Sequence, residues 1–164
     1  MVDPVVLYDF DKNKSSKDWK VVDDTVMGGR SNGGFKIDKN GNGVFYGHVS
    51  LENNGGFSSV RYSTQKMDVQ AFKAFEIRLR GDGKSYQFRS KASHNQRHSY
   101  IFEFATSGDW QVITIPFSEM YPAFRGNTLD IQNYPGEALA EIAFLIGNKK
   151  EQDFQLELDY ISIR

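Results

Sequence analysis

The patterns in this chain that could do chemistry are its glycine-rich runs and its histidines. The triplet 83–85 resembles the end of a phosphate-binding loop, but that loop needs a glycine where Arg78 stands. The glycine run 28–34 lacks the spacing that a dinucleotide pyrophosphate requires. His94 and His98 would share one metal-binding face only on a helix, and their polar surroundings have no helical pattern. These motifs therefore do not indicate an enzyme. A hydrolase that uses two carboxylates remains an alternative, because folding can bring such a pair together without a sequence motif.

Composition limits the remaining classes of function. The 164 residues suit a single domain, 1–164, and the absence of cysteine excludes disulfides, zinc–thiolate sites and cysteine nucleophiles. The 20 basic and 21 acidic residues nearly cancel, which argues against nucleic acid or an anionic membrane as a partner. No stretch approaches the roughly 20 apolar residues of a membrane-spanning helix, and the N-terminus does not resemble a signal peptide. We therefore expect a soluble, cytoplasmic protein without an integral membrane segment.

Alternating apolar and polar residues predict an all-β fold. Residues 75–80 alternate, Gly81-Asp82-Gly83 supplies a tight turn, and residues 86–89 resume the alternation, so we predict a hairpin. The inward parity of the last strand changes near Asp159 or Tyr160, which predicts a β-bulge. The other predicted strands are 44–51, 58–62, 100–104 and 154–160, with 111–115 and 142–146 predicted to be buried on both faces. Turns every 8 to 12 residues or so are typical of a sandwich or barrel.

The same alternation places several arginines and amides on outer faces. If their strands are neighbours, Arg61, Arg78, Arg80, Gln87, Arg89 and Glu103 form one polar sheet face. Guanidinium groups donate directional, often bidentate hydrogen bonds, so this face would suit hydroxyls, carboxylates or a partner's backbone. The alternative is a solvated face with weak cross-strand ion pairs, each contributing less than about 1 kcal/mol.

Three segments carry a resemblance to a known family. Trp19 is followed by Asp24-Thr25-Val26-Met27-Gly28-Gly29-Arg30-Ser31, and two further matching stretches run from Phe45 to Arg61 and from Leu79 to Tyr86. These motifs resemble the complex I intermediate-associated protein 30 family over most of the chain. The resemblance implies a galactose-binding-like jelly-roll β-sandwich of two antiparallel sheets, a fold shared with many carbohydrate-binding modules. It also implies a chaperone-like role in assembling respiratory complex I in mitochondria.

The resemblance leaves two classes of partner open. The first is a protein partner, with complex I subunits or assembly intermediates as the implied case; the second is carbohydrate, bound on the polar sheet face by stacking tyrosines such as Tyr46, Tyr62 or Tyr86. Lacking a transit peptide, the chain is expected to be a compact bacterial member, or to lie in the mitochondrial matrix if it is eukaryotic. The candidate binding residues are Arg30, Asn53, Arg61, Arg80, Tyr86, Phe124 and Arg125, and Tyr121 is a further contributor.

Three further predictions concern the loops, the metal and the tryptophans. Met27, Arg30 and Ser31 are expected to fasten their loop across the sheet or to contact a partner. A structural calcium site, common in jelly-roll modules, would use the carboxylates of Asp9, Asp11 and Asp159, because the terminal strands of such folds often lie side by side; no other cofactor is expected. Trp19 and Trp110 each begin an apolar run, so both are predicted to be buried.

Overall fold

The computed structural model describes residues 2–24 and 28–164, and it is built almost entirely of antiparallel strands. Met27 lies outside the described residues. The helices of the described part are single 3-10 turns at Ser16–Asp18, Glu52–Asn54 and Phe117–Glu119, none of them long enough to cross a bilayer. The strands are β1 (Val5–Asp9), β2 (Lys20–Asp23), β3 (Asn32–Ile37), β4 (Gly43–Val49), β5 (Ser58–Asp68), β6 (Ala74–Arg80), β7 (Ser85–Lys91), β8 (Ser99–Ala105), β9 (Trp110–Pro116), β10 (Tyr121–Phe124), β11 (Asn127–Thr128), β12 (Ala138–Ile146) and β13 (Gln152–Ile163).

Two sheets form the sandwich that the sequence predicts. The six-stranded sheet has the order β3-β4-β13-β6-β9, with β1 also paired to β13. The seven-stranded sheet has the order β11-β10-β8-β7-β12-β5-β2. Their facing surfaces enclose the core, and the architecture is a jelly roll.

The last strand, β13, carries the predicted bulge. Its pairing with β6 shifts register between Leu158 and Tyr160, which leaves Asp159 as the extra residue. Before the bulge Leu156 and Leu158 face the core, and after it Ile161 and Ile163 do. The bulge therefore keeps apolar side chains inward along a strand of 12 residues.

The predicted hairpin between residues 75–80 and 86–89 is wrong. These segments are strands β6 and β7, which belong to different sheets, so the turn between them crosses the sandwich. Thr106 holds this crossing, because its hydroxyl accepts a hydrogen bond from Gly83 N at 3.1 Å and donates one to the Lys84 carbonyl at 2.8 Å. Alternation within each strand is the same for a hairpin as for a crossing, so the pattern alone cannot separate the two.

The two strands predicted to be buried on both faces differ in their position. Every residue of 142–146 is buried, as predicted, because β12 lies inside the seven-stranded sheet between β7 and β5. The prediction for 111–115 is wrong, since β9 is the edge strand of its sheet and Val112 is 53% exposed. An edge strand has a neighbour on one side only, which reduces the cover over its outward side chains.

The two tryptophans also differ. Trp19 is buried among Tyr8, Phe10, Phe35 and Tyr62, as predicted. Trp110 is not buried in the core; it is half-buried on the outer face of the six-stranded sheet. The guanidinium carbons of Arg78 and Arg80 lie 4.4 and 5.1 Å from the centroid of its ring. Cation–π contacts to these two arginines therefore replace burial in the core.

Candidate functional site

The family-like loop that begins at Asp24 is fastened by the carboxylate of that residue. Asp24 Oδ1 accepts a hydrogen bond from Ser31 N at 2.9 Å, and Oδ2 accepts from Ser31 Oγ at 2.5 Å. The same Oδ2 accepts from Gly56 N at 2.6 Å and from Phe57 N at 3.2 Å. One buried carboxylate thus joins the loop after β2 to the loop before β5. We call this set of contacts the Asp24 clasp.

Gly29 and Gly55 pack so closely against the Asp24 carboxylate that neither position has room for a side chain. A Cβ atom on Gly29 would lie 2.4 Å from Asp24 Cγ, and one on Gly55 would lie 2.5 Å from Asp24 Oδ2. Burial by itself would raise the pKa of Asp24, but hydrogen bonds from Ser31, Gly56 and Phe57 outweigh it and hold the pKa below its ordinary value. Of the two predicted roles for this loop, fastening is the one that Ser31 performs.

The arginines of the six-stranded sheet are already neutralised. Arg78 Nη1 lies 2.7 Å from Asp159 Oδ2, and Arg80 Nε lies 2.5 Å from Glu157 Oε2. Both carboxylates belong to β13, the strand next to β6. Arg80 is therefore part of an ion-pair network on this face. The prediction of one shared polar face is wrong, because Arg78 and Arg80 lie on the sheet opposite to Arg61, Gln87, Arg89 and Glu103.

The predicted calcium ligands do not meet in a cluster. Strands β1 and β13 lie side by side as expected, and Phe10 N donates to the Asp159 carbonyl at 2.9 Å. The Asp159 carboxylate binds Arg78, however, and the Asp11 carboxylate accepts from Asn13 N at 2.7 Å. Residues 2–24 and 28–164 contain no group of three carboxylates or histidines that could hold a metal ion. The three carboxylates predicted to bind calcium are therefore not grouped together in the described part of the chain.

The outer face of the seven-stranded sheet carries a different set of charges. One row across this face runs Arg61 on β5, Ala143 on β12, Arg89 on β7, Ile101 on β8 and Tyr121 on β10. The flanking rows add Gln87 next to Glu103, and Lys91 next to Glu141. We call this surface the arginine face, defined by Arg61, Gln87, Arg89, Lys91, Glu103 and Tyr121.

Arg89 stands at the centre of the arginine face and is held in place by an amide. Gln87 Oε1 accepts from Arg89 Nε at 3.0 Å and from Nη2 at 2.7 Å, which fixes the plane of the guanidinium. Burial, reinforced by the positive charge of Arg61, lowers the pKa of Arg89 to about 10. Burial likewise lowers the pKa of Lys91, although Glu141 opposes the shift. The folded chain thus keeps cations close together at a cost in electrostatic energy.

The three cations of the arginine face lack the ion pairs found on the other sheet. In the part of the chain that the structure describes, no carboxylate lies within ion-pair distance of Arg61, Arg89 or Lys91. Glu103, in one of the flanking rows, accepts a hydrogen bond from Tyr121 Oη at 2.6 Å. Desolvation, together with Glu103, raises the pKa of Tyr121 to about 12, so the phenol remains a donor at neutral pH.

A shallow depression adjoins the arginine face. It has a volume of about 100 Å³, and Gln87, Glu103, Leu145 and Asn148 are among its lining residues. Asn148 donates through its amide to the Ser85 carbonyl at 3.0 Å and to Gln152 Oε1 at 2.9 Å. The depression therefore extends the polar surface toward the loop between β12 and β13.

The predicted site residues lie in separate places. Arg61 and Tyr121 belong to the arginine face, whereas Arg30 and Asn53 are exposed on the two clasped loops. Phe124 ends β10, and Arg125 begins the two-residue turn to β11 with a positive φ of 51°. Tyr86 is 1% exposed, so its candidacy as a binding residue is corrected: its ring packs in the core, and its hydroxyl donates to Asp82 at 2.9 Å.

The three tyrosines proposed for sugar stacking are not on the arginine face. Tyr46 is 39% exposed but lies on β4 of the six-stranded sheet, where its ring covers Gly34. Tyr62 points inward and packs on Trp19 with ring centroids 5.3 Å apart, and Tyr86 is in the core. Sequence alternation placed Arg89 on an outer face but gave no reason to select it. The reason to select it is that no carboxylate of the described residues lies within ion-pair distance of Arg89, and only the tertiary structure reveals this.

Comparisons with known proteins identify relatives of the whole chain. A family model described as complex I intermediate-associated protein 30 matches residues 8–158. The mitochondrial complex I intermediate-associated protein 30 of Mus musculus is 27% identical, over 96% of this chain and 55% of the mouse protein. Its Drosophila melanogaster counterpart is 24% identical, over 96% of this chain and 62% of the fly protein. The chain thus spans less than two thirds of either relative, and because both are eukaryotic, neither supports the predicted bacterial origin.

Among solved structures the similarity is to carbohydrate-binding modules. A family 11 carbohydrate-binding module from Clostridium thermocellum, in complex with a β-1,3-1,4-mixed-linked tetrasaccharide, superposes with a TM-score of 0.68 at 16% identity. The match covers 99% of this chain and 96% of that one. At this level of identity the similarity concerns the fold alone, and it confirms the predicted jelly roll.

Proposed function

The chain belongs to the complex I intermediate-associated protein 30 family, and we propose that it is a non-catalytic binding domain that contacts protein partners during assembly of respiratory complex I. The observation that carries this proposal is the family match over residues 8–158, which covers nearly all of the described sandwich. The relatives from mouse and Drosophila melanogaster are mitochondrial by name, which supports the mitochondrial matrix as the place of action in a eukaryote.

The arginine face is the surface we assign to partner contact. Its cations have no carboxylate partner among the described residues, whereas Arg78, Arg80 and Arg164 on the other sheet are each paired with one. Arginine and tyrosine are enriched among residues that dominate protein interfaces, and this face presents Arg61, Arg89 and Tyr121 in one row. Arg125, on the turn after β10, lies at the end of the same sheet.

Carbohydrate binding is the second candidate, and the fold shared with a glycan-binding module favours it. The polar depression beside Gln87 and Glu103 could accept hydroxyl groups. Against it, none of the tyrosines proposed for stacking lies on the arginine face. We therefore rank protein contact first and keep glycan binding as an outcome of the experiment.

Deletion and complementation in the organism that encodes the protein would test the proposal. We expect loss of the gene to reduce assembled complex I on native gels and to increase its intermediates, and the intact gene to restore assembly. Affinity purification of the tagged protein should enrich complex I subunits over an untagged control. Normal complex I in the deletion strain would contradict the proposed function, and specific retention on a mixed-linked glucan column without complex I enrichment would favour the carbohydrate alternative.

A further inference from the structure

Arg61 and Arg89 converge on one small residue. Both are cross-strand neighbours of Ala143, so their Cα atoms stand two strand spacings apart, about 10 Å. Ala143 is only 4% exposed although it lies on the outer side of the sheet, between the strands that carry the two arginines. The charge of Arg61 lowers the pKa of Arg89, so the two guanidinium groups are close enough to repel each other.

This arrangement places two cations side by side with no carboxylate of the described residues within ion-pair distance of either. Two guanidinium groups on either side of a small apolar residue offer several N–H donors, and Lys91 adds a third cation on the same strand as Arg89. Gln87 accepts from Nε and Nη2 of Arg89, and no hydrogen bond within the described residues uses Nη1. Planar guanidinium groups match the geometry of a carboxylate better than that of a neutral hydroxyl.

On these grounds, and resting on the proposed function, we infer that the arginine face binds an acidic segment of the partner protein, with one of its carboxylates held between Arg61 and Arg89 over Ala143. Charge complementarity to these cations selects an acidic occupant.

A titration with defined probes would test this inference on the full chain. The main probe is a capped peptide of alternating Glu and Ser, which in extended form presents its acids on one side; the same peptide with Gln for Glu is the neutral control, and oligogalacturonate is a carboxylated glycan. The signals to follow are the arginine Nε–H resonances in nitrogen-15 NMR spectra. The hydrogen bond from Arg89 Nε to Gln87 should make that resonance observable.

Two charge-matched double variants separate a specific site from a general electrostatic effect. Arg61→Gln with Arg89→Gln removes the site, and Lys12→Gln with Lys39→Gln removes the same charge from exposed positions on other loops. We expect the Glu peptide to shift the Arg61 and Arg89 resonances, the Gln peptide to leave them in place, and the arginine variant to bind at least about tenfold more weakly. The lysine variant should bind like the wild type, and added salt should weaken binding.

Several results would overturn the inference. They are the absence of shifts with the Glu peptide, equal weakening in both double variants, and binding of oligogalacturonate at these arginines without binding of the Glu peptide. Thermal unfolding of each variant confirms that it is folded. In the deletion strain, restoration of complex I by the arginine variant would reject the acidic-segment site but leave the proposed function intact. If deletion of the gene leaves the amount of assembled complex I unchanged, the proposed function itself is rejected.

Discussion

Arg61 and Arg89 lie on either side of Ala143, on the two strands that pair with β12. Neither guanidinium has an ion-pair partner in the described residues, while Arg78 on the opposite sheet is paired with Asp159. The two sheets therefore use the same residue type in opposite ways. On one sheet arginine is paired with a carboxylate, and on the other, among the described residues, it is not.

The first prediction is that Arg89→Met does not lower stability. Arg89 is desolvated and is repelled by Arg61, so its replacement by an apolar side chain of similar length should leave the free energy of unfolding unchanged or raise it by up to about 1 kcal/mol. The matched control is Arg78→Met, which removes the pair with Asp159 and the contact with Trp110. Chemical denaturation would measure both variants, and a loss in Arg89→Met as large as that in Arg78→Met would show that Arg89 is structural.

The second prediction concerns the Asp24 clasp. Asp24→Asn keeps the size of the side chain, but both carboxylate oxygens now accept from backbone N–H groups, so in either orientation the new NH2 group would face a donor, at Ser31 N or at Gly56 N and Phe57 N. We expect the free energy of unfolding to fall by roughly 2–4 kcal/mol, measured by urea denaturation. Asp68→Asn, at an exposed carboxylate that accepts only from Gln70 N among the described contacts, should change it by less than about 0.5 kcal/mol.

The third prediction is an acid dependence that originates in the same clasp. The pKa of Asp24 is lowered in the folded state. The stability that the ionised carboxylate contributes is therefore fully present above the ordinary pKa of 3.8 and is lost as the pH falls below that value. The difference in unfolding free energy between the wild type and Asp24→Asn should therefore be largest near neutral pH and shrink in acid. A difference that stays constant down to low pH would contradict the charged clasp.

The fourth prediction is a loss of stability in alkali. Burial raises the pKa values of Tyr8, Tyr86 and Tyr134, so they stay neutral in the folded state while the unfolded chain ionises. The stability that these tyrosines contribute is fully present below their ordinary pKa of 10.0 and is lost as the pH rises above it. This loss outweighs the opposite effect of Arg89, whose lowered pKa favours the folded state as the pH rises. Tyr86→Phe should reduce this pH dependence between about pH 9 and 11, monitored by denaturant unfolding at each pH. An unchanged dependence would mean that Tyr86 ionises in the folded protein.

Much of the fold was open to prediction from local pattern. Alternation identified nearly every long strand and its inward residues, and the change of parity before Ile161 located the bulge at Asp159. The loop at Asp24 was recognised from its residue types, and Ser31 fastens it as proposed. These features are local because the two-residue period of a strand and the conformation of a turn depend on neighbouring residues only.

The candidate site was not predictable in the same way. The sequence by itself determined that Arg61, Arg78, Arg80 and Arg89 point away from the core, because that follows from alternation. Tertiary structure alone decided that Arg78 and Arg80 meet the carboxylates of β13, while Arg61 and Arg89 meet across Ala143 without one. The physical reason is that strand pairing joins residues far apart in the chain, and the packing of both sheets around the whole core selects those pairs.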